Sequence, residues 1–161
     1  MRRIVLPLII VLASLSTAAP PAKAQARSGA EQEVLAVVNK LFEGMRTKDT
    51  AMMRALFDTS ARLVTTATRD GQPVVRETKI TNFLASIGRS SPADTLIETI
   101  HDPEVRVEDN LATVWMAYDF HVNSRFSHCG YDAMQLARGP QGWKIIALAD
   151  TQKREGCKNA G

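Results

Sequence analysis

Four residues in or beside two neighbouring stretches could do acid–base chemistry in this chain of 161 residues: Asp119, His121, His128 and Asp132. The stretches 111–122 and 129–138 are β-rich, and Asn123-Ser124 between them is turn chemistry, so they read as a hairpin. A two-residue turn pairs Val122 with Arg125 and His121 with Phe126. Carried back without interruption, that register sets Asp119 opposite His128, Tyr118 opposite Cys129 and Trp115 opposite Asp132. A carboxylate beside an imidazole orients it and raises its pKa, as a general base or proton shuttle requires. Asp119, His128 and Asp132 are therefore the catalytic candidates. The Asp119–His128 pair has a simpler reading, which is preferred: a cross-strand ion pair near a hairpin rim, worth about 0.2–1 kcal/mol. Asp132 lies deeper, either as an acid with a raised pKa beside Trp115 or as a hydrogen-bonded acid that fixes the sheet.

Alternation along the strands sorts the neighbours. One face carries Trp115, Ala117, Asp119, His121, His128, Asp132, Met134 and Leu136. Placing Arg138 opposite Trp143 adds Trp143, Ile145 and Ala147. Within this face Trp115, Asp132, Met134, Leu136, Trp143 and Ile145 form the candidate ligand-binding wall, apolar with few convergent polar groups. The opposite face carries Val114, Met116, Tyr118, Ile146 and Leu148. It is too apolar to be left in water and predicts a homodimer. Other chemistries fare worse. His128 and Cys129 are adjacent on a strand and point to opposite faces, so the imidazole cannot activate the thiol. Zinc on His121, His128 and Asp119 lacks the usual ligand spacing. No cofactor motif is visible, and neither a metal nor a cofactor is expected.

The elements that must position these residues follow from periodicity. Val34, Val37, Val38, Leu41, Phe42 and Met45 recur at helical spacing, with Ser28 as N-cap and Glu31 three residues on. Asp49 opens a short second helix. The stretch 63–68 reads as a strand ending at Asp70-Gly71, a brief extended piece covers 73–75, and Ile80 to Gly88 is helical again. Four strands then follow at 96–107, 111–122, 129–138 and 143–150. Helices that cover one face of a single sheet make the class α+β.

The first 24 residues are an address. Arg2-Arg3 precede an apolar run from 4 to 15, and Ala22-Lys23-Ala24 is a small-x-small cleavage pattern. A dozen apolar residues fall short of the ~20 that span a bilayer. The formal net charge of +3 arises from Arg2, Arg3 and Lys23, because from Gln25 onward basic and acidic residues balance at 17 each. Nucleic-acid binding is not supported. The expected organisation is a signal peptide at 1–24, a flexible leader at 25–30, one domain at 31–152 and a tail at 153–161. The product is periplasmic or secreted, with no membrane attachment after cleavage. In that oxidising setting Cys129 and Cys157 read as a disulfide, the alternative being two buried thiols.

The element order, with Phe126-Ser127-His128-Cys129-Gly130-Tyr131-Asp132-Ala133 and Gly142-Trp143-Lys144-Ile145, resembles the nuclear transport factor 2-like superfamily. Within it the chain is similar to exported SnoaL-like and lumazine-binding-type bacterial proteins. The resemblance implies a cone-shaped fold, three helices on a strongly curved, mainly antiparallel sheet of five or six strands. Ketosteroid isomerase shares that fold and uses a carboxylate base opposite a Tyr and a protonated Asp. In the register above Tyr118 and Tyr131 point away from the pocket, so its catalytic residues do not carry over. The favoured function is an exported domain that binds a small, largely apolar molecule. The alternatives are a general acid/base enzyme, isomerase- or hydrolase-like, and a non-catalytic oligomerisation or interaction module. Intact-mass measurement of exported protein checks the first steps. The chain should begin at Gln25, and no thiol should be alkylated until a reductant is added.

Overall fold

The computed structural model describes residues 27–157. The expected signal peptide lies outside the described residues. Ser28 and Glu31 form a reciprocal capping box at the start of α1 (Gly29–Thr47), the Ser28 N–H donating to the Glu31 carboxylate at 2.6 Å. Val34, Val38, Leu41, Phe42 and Met45 are its buried stripe. Lys48 turns into the left-handed region at φ 57 and ends the helix. Asp49 then caps α2 (Thr50–Leu56) by accepting from the Met52 N–H at 2.8 Å. The chain continues as β1 (Phe57–Arg69), β2 (Gln72–Thr78), α3 (Ile80–Gly88), β3 (Leu96–Glu108), β4 (Leu111–Val122), β5 (Arg125–Gly139) and β6 (Gly142–Gln152).

Three helices and one six-stranded sheet are present, in the order β2-β1-β6-β5-β4-β3. The expected cone-shaped, strongly curved sheet is corrected. The sheet is mixed and open, neither closed nor strongly curved. It is mixed because β1 inserts parallel to β6, while the other neighbours run antiparallel. Closure would require β2 to meet β3, and these stand at opposite edges. The β2 edge carries Pro73, Arg76 and Glu77, residues that discourage further strand pairing.

The hairpin turn forms as expected, with Asn123 and Ser124 both at positive φ (53 and 60) and Val122 paired with Arg125. The register beyond it is corrected. His121 pairs with Phe126, but Phe120 then pairs with His128, leaving Ser127 as an extra residue in β5. Asp119 therefore faces Cys129 rather than His128, and Trp115 faces Ala133 rather than Asp132. A bulge of this kind exchanges the faces of every residue that follows it. A second extra residue, Ile146, separates the pairs Leu136–Ile145 and Gln135–Ala147. Together they align Met116, Asp132 and Asp150 across three strands.

Val114, Met116, Tyr118 and Leu148 consequently face the helices and are buried. They belong to the interior and not to the dimer surface expected for them. Met134, Leu136, Trp143 and Ile145 are buried with them under α1. The outward face instead shows Trp115, 48% exposed and stacked on Tyr131 at 5.1 Å.

After β6 the chain returns to β5 through a Lys153–Cys129 bridge. Cys129 and Cys157 are joined in a disulfide with Cα atoms 5.9 Å apart. Gly130 allows the close approach this return needs. A Cβ there would lie 1.8 Å from the Thr151 carbonyl oxygen. Gly130→Ala should therefore lower the unfolding free energy by roughly 2–3 kcal/mol in a urea titration, as backbone must move to admit the methyl. An unchanged midpoint would show that the β5–β6 spacing is looser than described.

Candidate functional site

A cavity of about 350 Å³ lies between the helices and the inward face of the sheet. Leu41, Phe42 and Met45 of α1 and Phe83 and Ile87 of α3 form its roof. Leu63, Phe120 and Leu148 form the apolar part of its floor. The polar part is compact: Glu98 from β3, Tyr118 from β4, His128 and Asp132 from β5, and Asp150 from β6. Thr65 joins them from β1, and Arg76 of β2 reaches the lining from an exposed position.

The acids converge because of the two bulges. Asp132 is 2% exposed, and its Oδ2 has no hydrogen-bond partner among the described residues. Glu98 lines the same floor, and the two carboxyls act on each other's titration. Burial, and then the charge of Asp150, push the Asp132 pKa up to about 7. Glu98 is held well above the ordinary carboxylate range by desolvation first and by Asp132 next. The Tyr118 hydroxyl donates to the Thr151 carbonyl at 2.9 Å and lies 3.4 Å from Asp150. Burial and these acids raise its pKa too, so it stays a phenol. His128 packs edge-on to Tyr118, and its Nδ1 is 3.0 Å from the Ser127 hydroxyl. Desolvation lowers its pKa and favours the neutral imidazole.

The expected site residues divide. Asp132 and His128 line the cavity. Asp119 does not: it lies on the outward face, where one carboxylate oxygen contacts His101 Nε2 and the other lies 3.2 Å from His121 Nδ1. No Asp119–His128 dyad exists. Of the expected ligand-binding wall only Asp132 lines this cavity, since Trp115 is outward and Met134, Leu136 and Ile145 are core. Trp143 is core as well, its indole N–H donating to Glu33 at 3.2 Å. Glu98, Tyr118 and Asp150 were not anticipated. The alternation of buried and exposed residues in 96–108 could have flagged Glu98 as inward once Leu96 was placed in the core. Among the described residues no group of His, Cys, Asp or Glu is arranged to hold a metal ion.

Residues 29–149 match the model of the family described as "Putative lumazine-binding". The chain belongs to that family. No curated protein matches it. Solved structures similar to this member include an NTF2-like superfamily protein from Salmonella enterica serovar Typhimurium. That likeness has TM-score 0.60 and 18% identity, covering 82% of this chain and 96% of that one. An NTF2-like protein with a cystatin-like fold from Novosphingobium aromaticivorans has TM-score 0.60 and 16% identity over 79% and 83% of the two chains. A cystatin-like protein of unknown function from Nostoc punctiforme has TM-score 0.60 and 8% identity over 77% and 91%. This family member thus has the NTF2-like, cystatin-like fold.

The raised Asp132 pKa has a consequence for stability. The folded chain holds that proton up to about pH 7, the unfolded chain only to the ordinary value of 3.8. The contribution is fully present below about pH 4 and is lost as pH rises through about 7. Asp132→Asn removes the titration. Relative to the parent it should gain on the order of 1–3 kcal/mol between pH 4 and pH 8 in urea unfolding. A constant difference across that range would refute the assignment.

Proposed function

We propose that this protein binds a small, largely apolar molecule in the cavity beneath α1 and α3. The observation that carries the reading is Asp132 Oδ2, a buried acceptor with no hydrogen-bond partner among the described residues, at the floor of a cavity walled by Phe42, Phe83 and Phe120. Leaving such an atom unsatisfied costs about 1–3 kcal/mol, which a ligand's polar group would recover. The fold belongs to a superfamily in which small-molecule binding is frequent, and the family's own description names lumazine. A second reading, general acid/base catalysis, rests on one feature: Asp132 titrates near neutrality, where proton transfer is efficient. Binding is preferred, because the Tyr118 hydroxyl is committed to the Thr151 carbonyl and supplies no free donor to a reacting group.

The test is a thermal-shift panel of apolar metabolites, with lumazine included, on the parent and on Ser86→Trp. Ser86 is exposed on α3 at the cavity lining, so a tryptophan there narrows the entrance without opening the core. Compounds that stabilise the parent should lose roughly tenfold or more in affinity in the variant. Equal responses would place the ligand elsewhere, and turnover of a bound compound would move the reading to catalysis.

A further inference from the structure

We infer that the ligand is an apolar monoamine, bound as its ammonium ion with the cationic end on the Asp132–Glu98 pair. This rests on the pocket reading above and names its ligand class. Three carboxyls, from Glu98, Asp132 and Asp150, come together on the polar floor from three different strands. Two of them, Glu98 and Asp132, act on each other electrostatically, and the buried Asp132 Oδ2 is left without a hydrogen-bond partner among the described residues. A cluster of three carboxyls is matched best by a donor with positive charge. The permanent cation in the lining, Arg76, sits at an exposed position. Of polar side chains the helices contribute only the neutral Asn82 and Ser86, β1 contributes Thr65, β2 contributes Thr78 beside Arg76, and β6 contributes Gln152. The remaining titratable neighbours are Tyr118, whose hydroxyl is already donated, and His128, which desolvation keeps toward neutral. Asp119, on the far side of the sheet, adds more negative potential at Glu98.

The walls fit the rest of such a molecule. Phe42, Phe83 and Phe120 offer apolar surface and aromatic faces, both favourable to an ammonium with a hydrocarbon body. Arg76, exposed in the lining, disfavours a second positive charge beside it. Because Glu98 and Asp132 are held toward their protonated forms, arrival of a cation should ionise them further. Amine binding near neutral pH therefore releases a proton to the solvent.

The experiment uses three matched probes, 4-phenylbutylamine, 4-phenylbutan-1-ol and 4-phenylbutanoate, titrated calorimetrically into the protein at pH 7. Each titration is run in two buffers of different ionisation enthalpy. The amine should bind roughly tenfold or more tightly than the alcohol, with net proton release, and the carboxylate should bind most weakly. In Asp132→Asn and in Glu98→Gln the amine and the alcohol should bind within about threefold of each other. The second variant decides the matter should the first fail to fold. Alcohol or carboxylate binding as tightly as the amine would overturn this inference and leave the pocket reading standing. So would amine affinity that both variants leave unchanged. Failure of all three probes overturns the amine inference, and failure of the wider apolar panel as well overturns the pocket itself.

Discussion

Ser127 sits in β5 without a partner on β4, and this one unpaired residue decides which side chains the helices cover. Before it, the hairpin follows its turn. Beyond it, Asp132 joins Tyr118 and Phe120 on the inward face, while Asp119 and Trp115 turn outward. Ile146 repeats the device in β6 and carries Leu148 and Asp150 to the same side. Without these two insertions the sheet would present a different set of residues to α1, and the three acids would not meet.

The result is a protein with two unlike interiors. Under α1 the core is closed and apolar, built from Val34, Val38, Leu41, Met116, Met134, Leu136 and Ile145. Toward α3 the same layer opens into a cavity whose floor is acidic. Gathering carboxyls away from water is unfavourable. Acids gathered in this way are the observation on which the proposed site rests. The chain offsets the cost elsewhere, with a capping box, an apolar stripe along α1 and a disulfide that closes a loop of 28 residues. A cross-link of that span contributes about 3 kcal/mol.

The outward face shows how acids and imidazoles can cluster for structure alone. Asp119 contacts His101 Nε2 through one carboxylate oxygen and lies 3.2 Å from His121 Nδ1 through the other, tying β3 to β4 beside the bulge at Asp102-Pro103. This is the simpler reading of Asp119 with a different imidazole: a carboxylate–imidazole contact within the sheet, away from the cavity beneath α1 and α3. The inward cluster differs because its atoms are not all satisfied.

Local chemistry was legible in the residues themselves. The Ser28–Glu31 box, the Asp49 cap, the Asp70-Gly71 and Asn123-Ser124 turns and the apolar stripe of α1 depend on neighbours within a turn or two of chain. Caps, hairpins and periodicity are short-range, so α1, α3 and β4 fall close to where spacing sets them. The pairing of Cys129 with Cys157 followed from their number and the expected compartment. The polar site was not legible, apart from Asp132 and His128 as members of it. A strand's sequence does not announce that one residue will be left out of its ladder, because Ser127 and Ile146 are ordinary strand residues whose exclusion depends on the partner strand. Nor does it show that β1 will insert parallel beside β6, or that the sheet stays open. Strand alternation has a period of two, so one unpaired residue reverses every later assignment. Which acids share the cavity is therefore decided only when β3, β4, β5 and β6 are laid side by side under the helices.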